Sequence, residues 1–286
     1  MNADRGLSPT QRVLWMYRAL KSYVLSSFLV RRGDTLYNVP LKKVIFTGLA
    51  SPTRMYTENL ISNFIPWKKI TNELPNIFIC EFGCGDLRYL DVLNELLGEG
   101  NFRYIGIEAP DFKLGKEAVN KLSEKVKFIN YNLNDGVPEC IRECNVFLSF
   151  SVLEHIDNID NFTKNYSSRV YGKSFHYHSV PTFLSVFNYL WHGCRHFNAL
   201  ERNKFLGKFN YKKAGIVYYG GLVNLLVHSI LITSLDIISK LFVVRHRVRF
   251  VTQSWSRELV LKAQPLDDFT ARIGINTFCL IFWKSN

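Results

Sequence analysis

An acidic residue and two glycines give the stretch ICEFGCGDLRYL, residues 79–90, the first pattern with chemical meaning. An apolar run enters Glu81, Gly83 and Gly85 follow, and a helical pattern begins behind them. A strand that runs into such a turn lets a ligand approach the backbone at the carboxyl edge of a sheet. Arg88 stands where a dinucleotide-binding turn has its third glycine, and the acid disfavours a phosphate. The pattern therefore favours a positively charged ligand group, such as an amino-acid ammonium or a sulfonium.

A second acid, Glu108, ends the next apolar run, RYIGIEA, and lies 27 residues after Glu81. At such a strand end a carboxylate accepts hydrogen bonds from both hydroxyls of a ribose. The following run, VKFINYNLND, closes with polar residues suited to an adenine edge, and NVFLSFSVLEHI then leads into Glu154 and His155. These strand ends predict a site for a ligand that carries a ribose and an adenine.

Seven short apolar runs supply the elements that position these residues. They are IFICEF, RYIGIEA, VKFINYNL, NVFLSFS, SFHYHSV, AGIVYYG and INTFCLIFW. Between the first five lie stretches such as DLRYLDVLNELLGEG, whose apolar residues recur at helical spacing. Strands that alternate with helices predict an α/β fold, with a mostly parallel sheet covered by helices on both faces.

Over residues 76–180 the sequence resembles the class I S-adenosylmethionine-dependent methyltransferases. The resemblance rests on the acid-x-Gly-x-Gly turn at Glu81, the acid Glu108 after the second strand, and the VLEH segment that ends at His155. It implies a Rossmann-like sheet of seven strands, of which the last, INTFCLIFW, runs antiparallel to the others. It also implies S-adenosylmethionine as the cofactor and methyl transfer as the activity.

The resemblance further implies a set of cofactor-binding residues. Gly83, Gly85 and their acidic neighbours would line the methionine moiety, and Glu108 would hold the ribose. Asn132 stands where the family commonly has an aspartate directed at the adenine, a change that removes a charge but keeps an acceptor. The full implied set is Glu81, Gly83, Gly85, Asp86, Glu108, Ala109, Asn132, Leu133, Ser149 and Phe150.

Histidines at two strand ends are the candidate catalytic residues. Methyl transfer to a hydroxyl needs positioning and a proton acceptor. Alternation along SFHYHSV puts His176 and His178 on one face and Tyr177 on the other, and His178, nearer the strand end, is the preferred base. His155 is the alternative, with a structural role equally open. The pairs Cys80/Cys84 and Cys140/Cys144 lack zinc-knuckle spacing, so we expect reduced thiols and no metal.

The regions outside the resemblance predict helices. Residues 1–75 form an N-terminal helical region in which Ser51 caps a helix that begins at Pro52, and residues 76–286 form the methyltransferase domain. A helical insertion covers 182–212 and an amphipathic helix covers 221–244. Aromatic and basic side chains of the insertion are candidates for an acceptor pocket: Trp191, His192, Arg195, His196, Tyr211 and Lys212.

Net charge and composition leave several partners open. A net charge of +12 favours an anionic partner, and the stretch 221–249 either packs on the protein's own core or contacts a membrane surface. The N-terminus has no secretory pattern, so we expect a cytoplasmic protein, peripheral to the inner face of a membrane if this contact forms. The leading interpretation is O-methylation of a small polar acceptor, such as a saccharide or a lipid- or phosphate-linked glycan. An RNA methyltransferase and a non-catalytic binding or membrane-docking module remain alternatives, and the oligomeric state is open.

Overall fold

The protein is described by a computed structural model. The structure describes residues 10, 13–14, 16–18, 20–21, 36–37, 52–185, 197, 199–227, 258–259, 261–273 and 275–285.

One mixed sheet organises the chain. Its strands are β1 (Leu36–Tyr37), β2 (Ile77–Phe82), β3 (Phe102–Glu108), β4 (Val126–Asn130), β5 (Val146–Phe150), β6 (Ser174–Pro181), β7 (Tyr211–Tyr219) and β8 (Phe278–Ser285). They lie in the order β1-β7-β8-β6-β5-β2-β3-β4. Only β8 runs antiparallel to its neighbours within the described part of the sheet. The predicted seven strands and the antiparallel last strand are confirmed.

The two-residue strand β1 was not predicted. It pairs in parallel with β7, where Leu36 lies opposite Ile216. The sequence around it, RRGDTLYNVP, reads as a break between helices, because two residues are too few to show a period of two.

Helices cover both faces of the sheet. The α-helices with both ends described are α1 (Pro52–Asn59), α2 (Trp67–Glu73), α3 (Leu90–Leu97), α4 (Lys116–Val119), α5 (Ile159–Arg169), α6 (Ala199–Leu206), α7 (Leu222–Leu226) and α8 (Gln264–Arg272). Pro52 opens α1 as predicted, whereas Ser51 lies outside the described residues. Among the described residues, no helix has the length and apolar content that a membrane crossing requires.

Apolar side chains are buried on both sides of the strands. All six residues of β2 and all five of β5 are buried, which is why their sequences read as continuous apolar runs. On one face, Tyr56 and Trp67 from the N-terminal region share a hydrophobic cluster with Ile79 and Leu148. The hydrophobic core therefore crosses the predicted boundary at residue 76, and the division there stays a prediction.

Two predictions about the second half of the chain change. The insertion predicted for about 182–212 contains α6 and a short turn at Phe183–Ser185, and β7 begins at Tyr211, just before its predicted end. Tyr211 and Lys212 thus lie at the amino end of a parallel strand, away from the edge where the ligand site was predicted. Most of the predicted 221–244 helix and the other candidates in the insertion lie outside the described residues: 228–244, Trp191, His192, Arg195 and His196.

Candidate functional site

A cleft of about 530 Å³ opens at the carboxyl edge of the sheet. In the sheet, β2 lies between β3 and β5, so the chain adds strands first on one side of β2 and then on the other. Ligands of open α/β sheets bind at such a topological switch point. The volume lies within the range of small-molecule sites. Its lining residues are Gly83, Glu108, Ala109, Asp111, Phe112, Lys113, Ser151, Val152 and His155.

The glycine turn after β2 needs both of its glycines. Gly83 has a φ of +69°, and an added Cβ would meet Val152 Cγ2 at 2.2 Å. Its N–H donates to the carbonyl oxygen of Ile107 at 2.7 Å, which ties the turn to β3. Gly85 has a φ of +53°, but an added Cβ would find no atom within 4 Å. The turn thus keeps open space beside its second glycine.

Glu108 lies at the end of β3 and faces the cleft. Its Oε2 accepts the Gly85 N–H at 2.9 Å, and its Oε1 accepts the Ala109 N–H at 2.9 Å. Each carboxylate oxygen has two lone pairs, so one acceptor site on each oxygen remains after these bonds. The carboxylate is therefore held in place by backbone groups and can still accept hydrogen bonds from a ligand.

Glu81 lies beneath the turn and is not among the described residues that line the cleft. Its side chain is buried, and Oε2 accepts a hydrogen bond of 2.5 Å from the Tyr104 hydroxyl. Burial raises the pKa of Glu81 to about 8; the Tyr104 hydrogen bond lowers it in part, and the charge of Glu108 raises it. At neutral pH this acid is mostly protonated, so it offers less negative charge to a ligand than the sequence predicted.

Asp86 and two asparagines fix the loops beside the cleft. Asp86 Oδ1 accepts the Gly115 N–H at 2.8 Å. Asn132, predicted to approach an adenine, uses Oδ1 for the Asn134 N–H at 3.2 Å and thereby caps its own turn. Asn130 donates to the carbonyl oxygens of Ala109 and Phe112, at 2.7 and 2.9 Å. In this structure Asn130 shapes the cleft-lining loop, while Asn132 shapes the turn after it.

Leu133, Ser149 and Phe150 are buried behind the cleft. Leu133 belongs to the cluster on one face of the sheet, and Phe150 packs edge-on against Tyr89 on the other face, with ring centroids 5.3 Å apart. The Ser149 hydroxyl lies 2.7 Å from His178 Nδ1. None of the three is among the described residues that line the cleft, so their predicted cofactor contacts stay predictions.

His178 is enclosed by the protein core, which disfavours its predicted role as the base, and that role stays a prediction. It is fully buried, with Ser149 at Nδ1 and the Tyr166 hydroxyl 3.3 Å from Nε2. Its ring packs between Phe82 and Trp283. Burial lowers the pKa of His178 to about 3, and a neutral imidazole of such low basicity is a poor proton acceptor.

His176 shares this surrounding. Its Nδ1 lies 2.6 Å from the Tyr166 hydroxyl, and its ring stacks on Trp283 with centroids 4.4 Å apart. Burial, and then the neighbouring His178, hold the pKa of His176 well below its usual range. The predicted sharing of one face by the two histidines is confirmed, but that face belongs to the core.

His155 is the predicted catalytic candidate that lines the cleft. It ends a short helical turn, Leu153–His155, that follows β5, and its side chain is half-buried. Its neighbour Glu154 is buried, and among the described residues neither of its carboxyl oxygens has a hydrogen-bond partner. Burial raises the pKa of Glu154 to about 8, so the carboxyl is mostly neutral at pH 7. The turn thus directs an imidazole to the cleft and a carboxyl to the core.

Sequence reasoning missed several cleft residues. Ser151 lines the cleft with a φ of +58°, and strained non-glycine residues of this kind cluster at functional sites. Phe112 and Lys113 come from the loop after β3, and Val152 closes over Gly83. No spacing in the sequence marks these positions, although the polar residue Asn130 at the end of β4 could have indicated a loop anchor.

The cysteines that the structure describes are free thiols. They are Cys80, Cys84, Cys140, Cys144 and Cys279. Burial raises the pKa of the Cys80 and Cys84 thiols, which keeps them protonated at neutral pH.

Comparison with known proteins finds similarity in fold but not in sequence. No protein-family model matches the chain, and no curated protein matches its sequence. The crystal structure of coclaurine N-methyltransferase bound to N-methylheliamine and S-adenosylhomocysteine has a TM-score of 0.51 at 11% identity, covering 98% of this chain and 89% of that one.

Two further structures are similar at lower scores. The plantazolicin methyltransferase BpumL has a TM-score of 0.49 at 12% identity, covering 97% of this chain and 98% of its own. A methyltransferase from Archaeoglobus fulgidus has 0.46 at 11%, covering 82% and 94%. With the strand order, the antiparallel β8 and the likeness to coclaurine N-methyltransferase, the chain has the fold of the class I S-adenosylmethionine-dependent methyltransferases.

Proposed function

We propose that this protein is an S-adenosylmethionine-dependent methyltransferase whose cofactor binds in the cleft between the turn after β2 and the end of β3. The observation that carries the proposal is the Glu108 carboxylate. Two backbone N–H groups hold it at the cleft with acceptor capacity to spare. A carboxylate at this strand end suits the two hydroxyls of a ribose.

The surrounding residues fit the rest of the cofactor. The open space beside Gly85 suits close approach of the methionine moiety to the backbone. Asn130 donates a hydrogen bond to the carbonyl oxygen of Phe112, and the aromatic ring of Phe112 lines the cleft, where it suits stacking on the adenine. When bound, the cofactor supplies a methyl group activated by its sulfonium.

We assign His155 as the proton acceptor for an acceptor hydroxyl. It lines the same cleft and is partly exposed, whereas His176 and His178 are fully buried. With the cofactor bound, His155 would accept the proton of the acceptor hydroxyl as that hydroxyl takes up the methyl group. A positioned base of this kind contributes about 10²–10⁴-fold to the rate.

For the acceptor we propose a small polar molecule, such as a saccharide or a lipid- or phosphate-linked glycan. The cleft size and the imidazole support a small hydroxyl compound. Four of the aromatic and basic side chains on which the saccharide interpretation rests lie outside the described residues: Trp191, His192, Arg195 and His196. The other two, Tyr211 and Lys212, begin β7. Cytoplasmic location stays a prediction from the sequence.

Calorimetric titration with S-adenosylhomocysteine tests the cofactor site. Glu108→Ala should weaken binding by about 2–3 kcal/mol, or about 30- to 150-fold, because hydrogen bonds to a charged group are lost. Glu143→Ala is the matched control, since this exposed carboxylate pairs with Arg103 at 3.0 Å, away from the cleft. It should bind as the parent does.

Two results would count against the proposal in different ways. If the parent protein gives no heat at millimolar ligand, the cofactor assignment fails and a non-catalytic module is favoured. If the parent binds and folded Glu108→Ala binds equally well, the ribose lies elsewhere.

A further inference from the structure

The described helical residues near the N-terminus expose a row of apolar side chains. The described residues among 10–21 are helical, and four of them lie at positions i, i+3, i+4 and i+7: Val13, Met16, Tyr17 and Leu20. Their exposed fractions are 68, 38, 60 and 51%. An amphipathic helix of a globular protein normally turns such a row to the core. Here the row faces outward, so it is available to a partner.

Charge in this part of the sequence indicates what the partner is. Between Asp4 and Asp34 the chain has no acidic residue. The same interval contains six basic residues: Arg5, Arg12, Arg18, Lys21, Arg31 and Arg32. Arg18 and Lys21 belong to the described helix and are exposed. An apolar row beside basic residues is the pattern of a helix that lies in the surface of an anionic membrane.

A second exposed apolar row does not share this charge. On α8, Leu266 and Phe269 are more than half exposed, as is Ile273 just after it. Asp267 and Asp268 lie on the same helix. Asp267 is buried, but anionic lipid would repel the half-buried Asp268. Because α8 has two acidic residues and one basic residue, Arg272, charge complementarity favours the N-terminal helical residues over α8.

We propose that the described helical residues among 10–21 dock the protein on an anionic phospholipid surface. Val13, Met16, Tyr17 and Leu20 enter the boundary of the acyl chains, and Arg18 and Lys21 contact the lipid headgroups. None of these residues is among the described residues that line the cleft, so the inference does not depend on the proposed methyl transfer. It differs from the membrane contact predicted for 221–249, a stretch of which 228–249 lies outside the described residues.

Vesicle flotation of the full chain tests the proposal. The probes are phosphatidylcholine vesicles with and without about 30% phosphatidylserine, at low and at physiological salt. The parent protein should bind the anionic vesicles and lose affinity when salt is raised. Val13→Asp combined with Tyr17→Asp should weaken binding at least tenfold, because two anionic groups then replace the apolar row.

A second pair of substitutions controls for charge and surface change. Leu266→Asp combined with Phe269→Asp adds the same two charges at similarly exposed positions of α8, and should retain most of the parent affinity. Arg18→Gln combined with Lys21→Gln should cost about tenfold or more on anionic vesicles, since each basic residue near the surface adds to binding. Every variant should have the melting temperature of the parent protein and its affinity for S-adenosylhomocysteine.

The possible results distinguish among a membrane, the rest of the chain and a second copy of the chain as the partner that covers this surface. Absence of flotation, equal binding to neutral vesicles, or equal loss in the α8 pair would overturn the proposal. If the double variant Val13→Asp, Tyr17→Asp has a lower melting temperature and the parent protein does not bind vesicles, the chain itself covers the apolar row. If that pair converts an oligomer to a monomer without any vesicle binding, the occupant is a second copy of the chain.

Discussion

Substitution of Gly85 tests whether glycine is required at this position by the bound ligand or by the backbone conformation. Its φ of +53° favours glycine, yet an added Cβ would meet no atom within 4 Å in the protein itself. Gly172 is a natural match, with a φ of +68° and the same open space. It lies before the amino end of β6, whereas Gly85 follows the carboxyl end of β2. Alanine at either position creates similar backbone strain, but only Gly85→Ala adds a methyl group at the proposed cofactor site.

The expected magnitudes follow from that difference. A non-glycine residue in the left-handed region costs about 1–2 kcal/mol, so both variants should lose about that much free energy of unfolding. Gly172→Ala should bind S-adenosylhomocysteine as the parent does. Gly85→Ala should bind at least tenfold more weakly, because its methyl group occupies space that the ligand needs and the Gly85 N–H must stay on Glu108.

Urea unfolding and calorimetric titration of both variants provide the assay. Equal losses of stability with a loss of affinity in Gly85→Ala alone would support the site. Parent-like affinity in Gly85→Ala would refute the idea that the ligand approaches this turn. An equal loss of affinity in Gly172→Ala would show that strain, and not the added methyl group, weakens binding.

The titratable residues near the cleft provide the remaining predictions. Burial raises the folded-state pKa of Glu154 to about 8, so the free energy of unfolding should fall as pH rises from about 4.5 towards 8. Glu154→Gln should remove this fall, which is on the order of 2–4 kcal/mol at pH 8, as measured by urea unfolding. Parallel curves of unfolding free energy against pH for the two proteins would contradict this. With an acceptor, His155→Ala should lower turnover about 10²–10⁴-fold at unchanged cofactor affinity, and a parent-like rate would exclude it as the base. His178→Ala should instead cost about 2–4 kcal/mol of stability, because Ser149 and Tyr166 lose a partner, while turnover per folded molecule persists; a chemical defect without destabilisation would reverse this assignment.

The sheet was predictable because its strands are short apolar runs with clear ends. The run IFICEF is buried at all six positions and stops at a glycine turn, so its pattern is unambiguous. The start of β7 was missed because Tyr211 and Lys212 continue a polar stretch, and only the pairing of Tyr211 with Ser285 shows that they belong to the strand. Pairing across 74 residues leaves no local signal.

The site was predictable in part for a similar reason. Glu108 and Gly83 lie at strand ends, and parallel strands bring their carboxyl ends to one edge. Alternation placed His176 and His178 on one face correctly but could not say that this face is core, since both faces of the sheet are buried. Burial of Glu81 under the turn likewise depends on Tyr104, a contact between neighbouring strands that no spacing shows.

A crystal structure of the protein with S-adenosylhomocysteine is the most direct test of the central claim, that the cleft at the end of β2 and β3 is the cofactor site. We predict that the ribose hydroxyls lie within hydrogen-bond distance of the Glu108 carboxylate, that the methionine moiety lies beside Gly83 and Gly85, and that the sulfur faces His155. Ligand bound elsewhere on the protein, or in the cleft with its ribose away from Glu108, would contradict the account.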